Sequence, residues 1–216
     1  MEFIDKCKSN GIIVGLGHHN ASSEIISEAV ARGARIVTSI GSGLANFIDK
    51  SDNPLWPQLS DDRLLISLVC DKFSLPPEEL RVFYKVKGPS RIIIASDVTK
   101  YASLQPGKFV TDNGDSVELT SEGRLIYAGQ NIVYGSASPI KDGVANLMNL
   151  TGCSLSDAVM MASTNPAKLY GFSDRGSIAV GKRADIILFR LVGSEIVISK
   201  TYVKGNLVFN ATPDSR

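Results

Sequence analysis

The only two histidines in the chain, His18 and His19, are adjacent and close an apolar run, GIIVGLGHHN, spanning Gly11 to Asn20. An imidazole at the end of a buried strand has three uses. It ligates a metal, it moves protons near neutral pH, or it caps the following helix by hydrogen bonding. If the strand continues, His19 points to the opposite face from His18, so at most one of them serves a given site. His19 is read as a bystander in the loop. Asp97 follows a second apolar run, RIIIA, and Ser96. A carboxylate there is expensive to bury unless it is paired, metal-bound or held protonated for a purpose, which points to chemistry. Asp71, after LLISLVC, raises the same question in a weaker context and reads as structural.

Two short glycine motifs accompany these residues. GSGLAN, Gly41–Asn46, has backbone amides that could cradle a phosphate, but it lacks the lysine and spacing of a Walker loop. GSASP, Gly135–Pro139, either brings N–H groups to a ligand or caps a helix. Trp56 lies in a proline-bracketed stretch, DNPLWPQLSDDR, read as a loop used for packing or an interface.

The elements that must position these residues alternate. Apolar runs at Gly11–Gly17, Arg35–Ile40, Leu64–Cys70 and Arg91–Ala95 are separated by helical patterns at Ser22–Arg32 and from Pro76 onward. Continuous apolar runs between helices predict parallel strands covered on both faces. In such folds the loops after the strands form the active face, where GHHN, TSIGSG, CDKFS and ASDVTK all fall. These strand–helix units amount to half of a (β/α)8 barrel. A hairpin insertion is expected near 105–131, with turns at Asn113-Gly114 and Glu122-Gly123. Two helices follow, near Ser138–Leu150 and Ser154–Ala162. Short antiparallel strands complete the chain, with turns at Gly193-Ser194 and Gly205-Asn206. The expected organisation is therefore a partial barrel over 1–172 and strands of a β-sandwich over 173–216.

Composition narrows the function classes. The 216 residues carry a net charge of +1, which gives no electrostatic case for nucleic acid or an anionic membrane surface. Three scattered cysteines, Cys7, Cys70 and Cys153, form neither a disulfide framework nor a cysteine-based zinc site. The N-terminal stretch MEFIDKCKSN lacks a signal-peptide core, and no apolar run reaches membrane-spanning length, so a cytoplasmic location is expected.

In order, GHHNAS after a strand, ARIVTS, FYKVKGPSRIIIASDVT, GSAS before a helix, MASTNPAKLYGF and RGSIAVGKRADIILF resemble the N-acetylglucosamine-6-phosphate deacetylase family of the amidohydrolase superfamily. The resemblance covers nearly the whole chain and matches the C-terminal half to two-thirds of the family. It implies a metal-dependent (β/α)8 barrel with a flanking β-sandwich, removing the acetyl group from an amino-sugar phosphate with a divalent ion, zinc, and an aspartate acting as base and then acid. By this resemblance His18 matches a metal ligand and Asp97 the catalytic aspartate, while the backbone at Gly43 and Leu44 lies where the sugar phosphate is held. Ser136 falls in a substrate-contacting loop.

The chain departs from the family pattern at several of these positions. Ser39 stands where a second ligand histidine belongs, Ser42 where the family has asparagine, and Ser74 where a histidine contacts substrate. Lys50 takes the place of a phosphate-binding arginine, keeping the charge but losing the bidentate fork. The family's metal-ligand glutamate falls in the barrel half that this chain does not match. Neutral serine ligates divalent ions poorly, so weak metal binding is expected. An open half-barrel exposes sheet edges, which favours a homo-oligomer or association with another chain. Two readings follow: a deacetylase-like polypeptide that needs a missing half, or a non-catalytic descendant that binds a sugar phosphate or a partner protein.

Overall fold

The computed structural model describes residues 1–45 and 47–212. Asn46, the last residue of the GSGLAN motif, and 213–216, the end of the expected sandwich segment, lie outside the described residues.

Four short strands, β1 (Val14–Leu16), β2 (Ala34–Val37), β3 (Leu65–Val69) and β4 (Ile92–Ala95), form a parallel sheet in the order β1-β2-β3-β4. The order follows the chain, as successive strand–helix units of a barrel require. Burial deepens across it. Gly15 is exposed in β1, whereas Ile66, Leu68 and Ile92 of β3 and β4 are fully enclosed.

The helices begin and end where local chemistry directs. Ser22 caps α2 (Ser23–Arg32) by accepting the Ile25 N–H, and Gly33 terminates it at φ 140°. Pro77 opens α4 (Pro77–Lys87) at a position where its missing N–H costs nothing. A helix α1 (Glu2–Ser9), absent from the sequence reading, buries Cys7. The Trp56 stretch is also helical, as α3 (Leu55–Ser60). Pro54 precedes it, and the Asn53 side chain accepts the Leu55 N–H, so prolines that read as loop punctuation sit at a helix entry.

Beyond β4, strands β5 (Gly107–Val110), β6 (Ser116–Leu119), β7 (Arg124–Tyr127) and β8 (Val133–Ser136) make an antiparallel meander. Its first two turns fall at the Asn-Gly and Glu-Gly pairs, and a further strand carries the sheet to Ser136. The meander has a small core of its own, in which Tyr101 meets Val117, Leu119 and Leu125.

Helix α5 (Ile140–Thr151) closes on Gly152 in the left-handed region. The predicted helix Ser154–Ala162 is instead α6 (Leu155–Val159), a π-turn at 160–164 and α7 (Asn165–Leu169) in continuous succession. Strands β9 (Ile186–Val192), β10 (Glu195–Val203) and β11 (Asn206–Asn210) form a second antiparallel sheet. The last turn occupies Lys204-Gly205, because Asn206 already pairs with Val203. The main core joins the parallel sheet, its helices and Ile196 of β10. Among the described residues, no helix is long and apolar enough to cross a membrane.

Candidate functional site

Each parallel strand hands over to its loop through a left-handed residue: His18 after β1 (φ 49°), Ser39 after β2 (φ 49°), Lys72 after β3 (φ 76°) and Asp97 after β4 (φ 51°). Histidine and aspartate enter this region more readily than most residues, yet such a backbone persists only where its surroundings hold it. The repetition along one sheet end marks a built face. It is invisible to hydropathy patterning, which reports side-chain burial and not backbone φ.

Asp97 is held by the meander. Ser136 N–H donates to Asp97 O (3.0 Å), and Thr99 N–H donates to Ser136 O (2.9 Å). A Cβ on Gly135 would meet Thr99 at 2.9 Å and lies 3.8 Å from Asp97 Oδ2, so glycine is needed for this close approach. Contrary to the sequence reading, Asp97 is not a buried carboxylate, since it stands exposed at the strand end. Partial desolvation still raises its pKa; the nearby Asp71 adds to the rise and His18 opposes it.

The remaining positions divide. The His18 ring lies over Gly43, where a Cβ would approach it to 2.7 Å. Ser39 N–H donates to the buried Ser67 Oγ (2.7 Å). Leu44 N–H donates to Gly41 O (3.2 Å), so that amide is used inside its own turn. Asp71 accepts from Phe73 N–H (3.0 Å) and Ser74 N–H (2.8 Å), and the Ser74 hydroxyl donates to it (3.0 Å). The Ser136 hydroxyl is buried and accepts the Ser138 N–H (3.0 Å). Lys50 is exposed, and its carbonyl accepts the Trp56 indole N–H (2.9 Å).

His19 is no bystander. Its Nδ1 accepts the Ala21 N–H (3.1 Å), and its Nε2 lies 2.7 Å from the side-chain amide of Gln58. Burial lowers its pKa. Gln58 escaped the sequence reading because an amide inside an apparent loop carries no pattern.

The divalent ion that the family resemblance implies does not fit this donor set. Among the described residues, no three His, Cys, Asp or Glu side chains are placed to hold a metal. With Asp71 committed to its turn and serine at position 39, the face offers one imidazole and one free carboxylate, short of the ligands a zinc site needs.

Comparison with known proteins agrees with the architecture. Residues 102–208 match the amidohydrolase family model. N-acetylglucosamine-6-phosphate deacetylase from Bacillus subtilis is 29% identical over 209 residues, which make up 96% of this chain and 51% of that protein. The Vibrio furnissii enzyme of the same name is 28% identical over 96% of this chain and 51% of its own length. The crystal structure of N-acetylglucosamine-6-phosphate deacetylase from Thermotoga maritima superposes with a TM-score of 0.86 at 26% identity, covering 97% of this chain and 56% of that one. The chain thus spans about half the length of the curated relatives it matches. Motif order, fold and family match together make it similar to the C-terminal part of an N-acetylglucosamine-6-phosphate deacetylase of the amidohydrolase family.

Proposed function

We propose that this chain is a deacetylase-type half-site. It presents an amino-sugar-phosphate-binding face and the acid–base carboxylate Asp97, and it does not hydrolyse the amide by itself. The observation that carries this reading is that His18 and Asp97 leave their strands on one face, close enough for His18 to oppose the rise in the Asp97 pKa, while position 39, at the exit of β2, is serine. Asp97, with a raised pKa and a backbone fixed by β8, suits the acceptance and return of a proton. Gly43 and Lys50 belong to the wall that faces the sugar phosphate, with Leu44, Ser74 and Ser136 shaping its turns. The ion implied by the resemblance is zinc, and this chain's residues do not make its cage. The likeness to deacetylases over half their length supports this reading.

Among the described residues, no further strand pairs with β1, and β8 joins this side of the sheet only past the end of β4, where Ser136 bridges Val98; such open edges favour a homo-oligomer or association with another chain. The cellular setting proposed is the cytoplasm. Three measurements on the purified protein test these statements: bound zinc by elemental analysis, acetate release from N-acetylglucosamine 6-phosphate, and calorimetric binding of that sugar. Sugar-phosphate binding without stoichiometric zinc or acetate is expected. Tight zinc with acetate release would overturn the non-catalytic part, and no sugar binding would overturn the ligand. A monodisperse monomer at high concentration would refute the assembly.

A further inference from the structure

We propose that His19 and Gln58 form a clasp that positions His18 on the candidate face, a role that rests on reading that face as an amino-sugar-phosphate site. His19 Nδ1 accepts the Ala21 N–H, so this nitrogen carries no proton and the neutral ring bears it on Nε2. Nε2–H is then the donor across the 2.7 Å contact, and its partner is the amide oxygen of Gln58. A half-turn of the Gln58 amide exchanges its nitrogen and oxygen and sets the oxygen against the ring.

Both ends of the clasp are anchored. Gln58 is buried at 4% exposure beside Leu59, which belongs to the main core. The start of its helix is tied down by Asn53, whose side chain accepts the Leu55 N–H and donates to Asp49 O (2.7 Å). At the other end, Ala21 packs against the same core at the entry to α2. Between these anchors the ring of His19 fixes the backbone directly after His18. His18 holds a left-handed φ of 49°, and its ring rests on Gly43. A conformation of that kind needs external restraint, and the clasp supplies it. Gln58 is therefore a positioning residue that acts through His19.

The chain has only two histidines, so 15N-histidine labelling yields two imidazoles, and His19→Asn assigns them. Long-range 1H–15N spectra are expected to show His19 as the Nε2–H form. Q58E, whose carboxylate accepts the same proton, is expected to leave the His18 signals in place. Q58L is expected to shift those signals and to weaken N-acetylglucosamine 6-phosphate binding roughly tenfold. H19N keeps an acceptor for the Ala21 N–H but does not span to Gln58, and it is expected to shift the His18 signals as Q58L does. An Nδ1–H ring at His19, or His18 signals unmoved by Q58L, overturns the clasp. If the parent protein binds no sugar phosphate while the His18 signals respond as stated, the clasp stands and the ligand reading falls.

Discussion

The two ends of the parallel sheet solve opposite problems. At the N-terminal end, buried polar groups are satisfied internally. Lys87 is 1% exposed and donates to Asp61 O (2.8 Å) and Leu64 O (3.0 Å), just before β3. Asn165, 4% exposed, donates to Pro89 O and Ile92 O, both at 2.7 Å, where β4 begins. At the C-terminal end, the strand exits turn left-handed, and His18 and Asp97 stand exposed. One end spends its polar groups on holding the strands together. The other keeps an imidazole and a carboxylate available and accepts backbone strain to do so. This is the division of labour expected of a barrel, with stability at the bottom and chemistry at the top.

Four substitutions test that division, from the largest effect to the smallest. Asn165→Ala strips the donor from two carbonyls at the stable end. It should cost about 2–3 kcal/mol in urea unfolding; a loss as small as that of an exposed substitution would deny the clamp its role. Gly135→Ala places a methyl group against Thr99 beside Asp97. It should cost about 1–2 kcal/mol and shift the Asp97 carboxyl signal by NMR, and an unmoved signal would separate the meander from the site. Ser39→His places an imidazole at the open end and should raise zinc affinity at least about tenfold by competition with a chromophoric chelator. Equal affinity would mean that position 39 does not face His18.

Asp97→Asn is the smallest and carries a sign. The folded-state pKa of Asp97 is raised, chiefly by desolvation. As pH rises through the ordinary carboxylate range the unfolded chain therefore loses its proton first, and the wild type loses stability up to the folded pKa. Asparagine removes that loss and tolerates the left-handed backbone. The variant should match the wild type at the acid end and melt about 1 °C higher near neutral pH. A variant that melts lower there would contradict the account.

Much of the frame was legible beforehand. Apolar runs located β3 and β4 within a residue or two, because strands enclosed on both faces read as near-continuous apolar runs, broken here only by Ser67 in β3. The helical patterns beginning at Ser22 and Ser154 located the starts of α2 and α6, where the structure shows these hydroxyls accepting N–H groups through local bonds that need no distant partner. The helix at Trp56 was missed because its prolines resemble loop signals, and α1 because its amphipathic stretch is short. At the candidate face, the placement of His18 and Asp97 just past strand ends was legible from the apolar runs before them. The restraint of His18 was not, because Gln58 lies 39 residues beyond His19 and meets it only through the path of α3.

Residue order alone determined the alternation of strands and helices, the family likeness, and serine at positions 39 and 74, which the resemblance reads as departures from histidine. These follow from local pattern and identity. Tertiary structure decided which of the polar residues remain available. It drew Asp71, Ser74 and Ser136 into turns, left Asp97 and His18 on the surface, and tied His19 to a buried amide. A hydrogen-bonding group is available for chemistry only when the fold has not already given it a partner, and partners distant in the chain are chosen by packing.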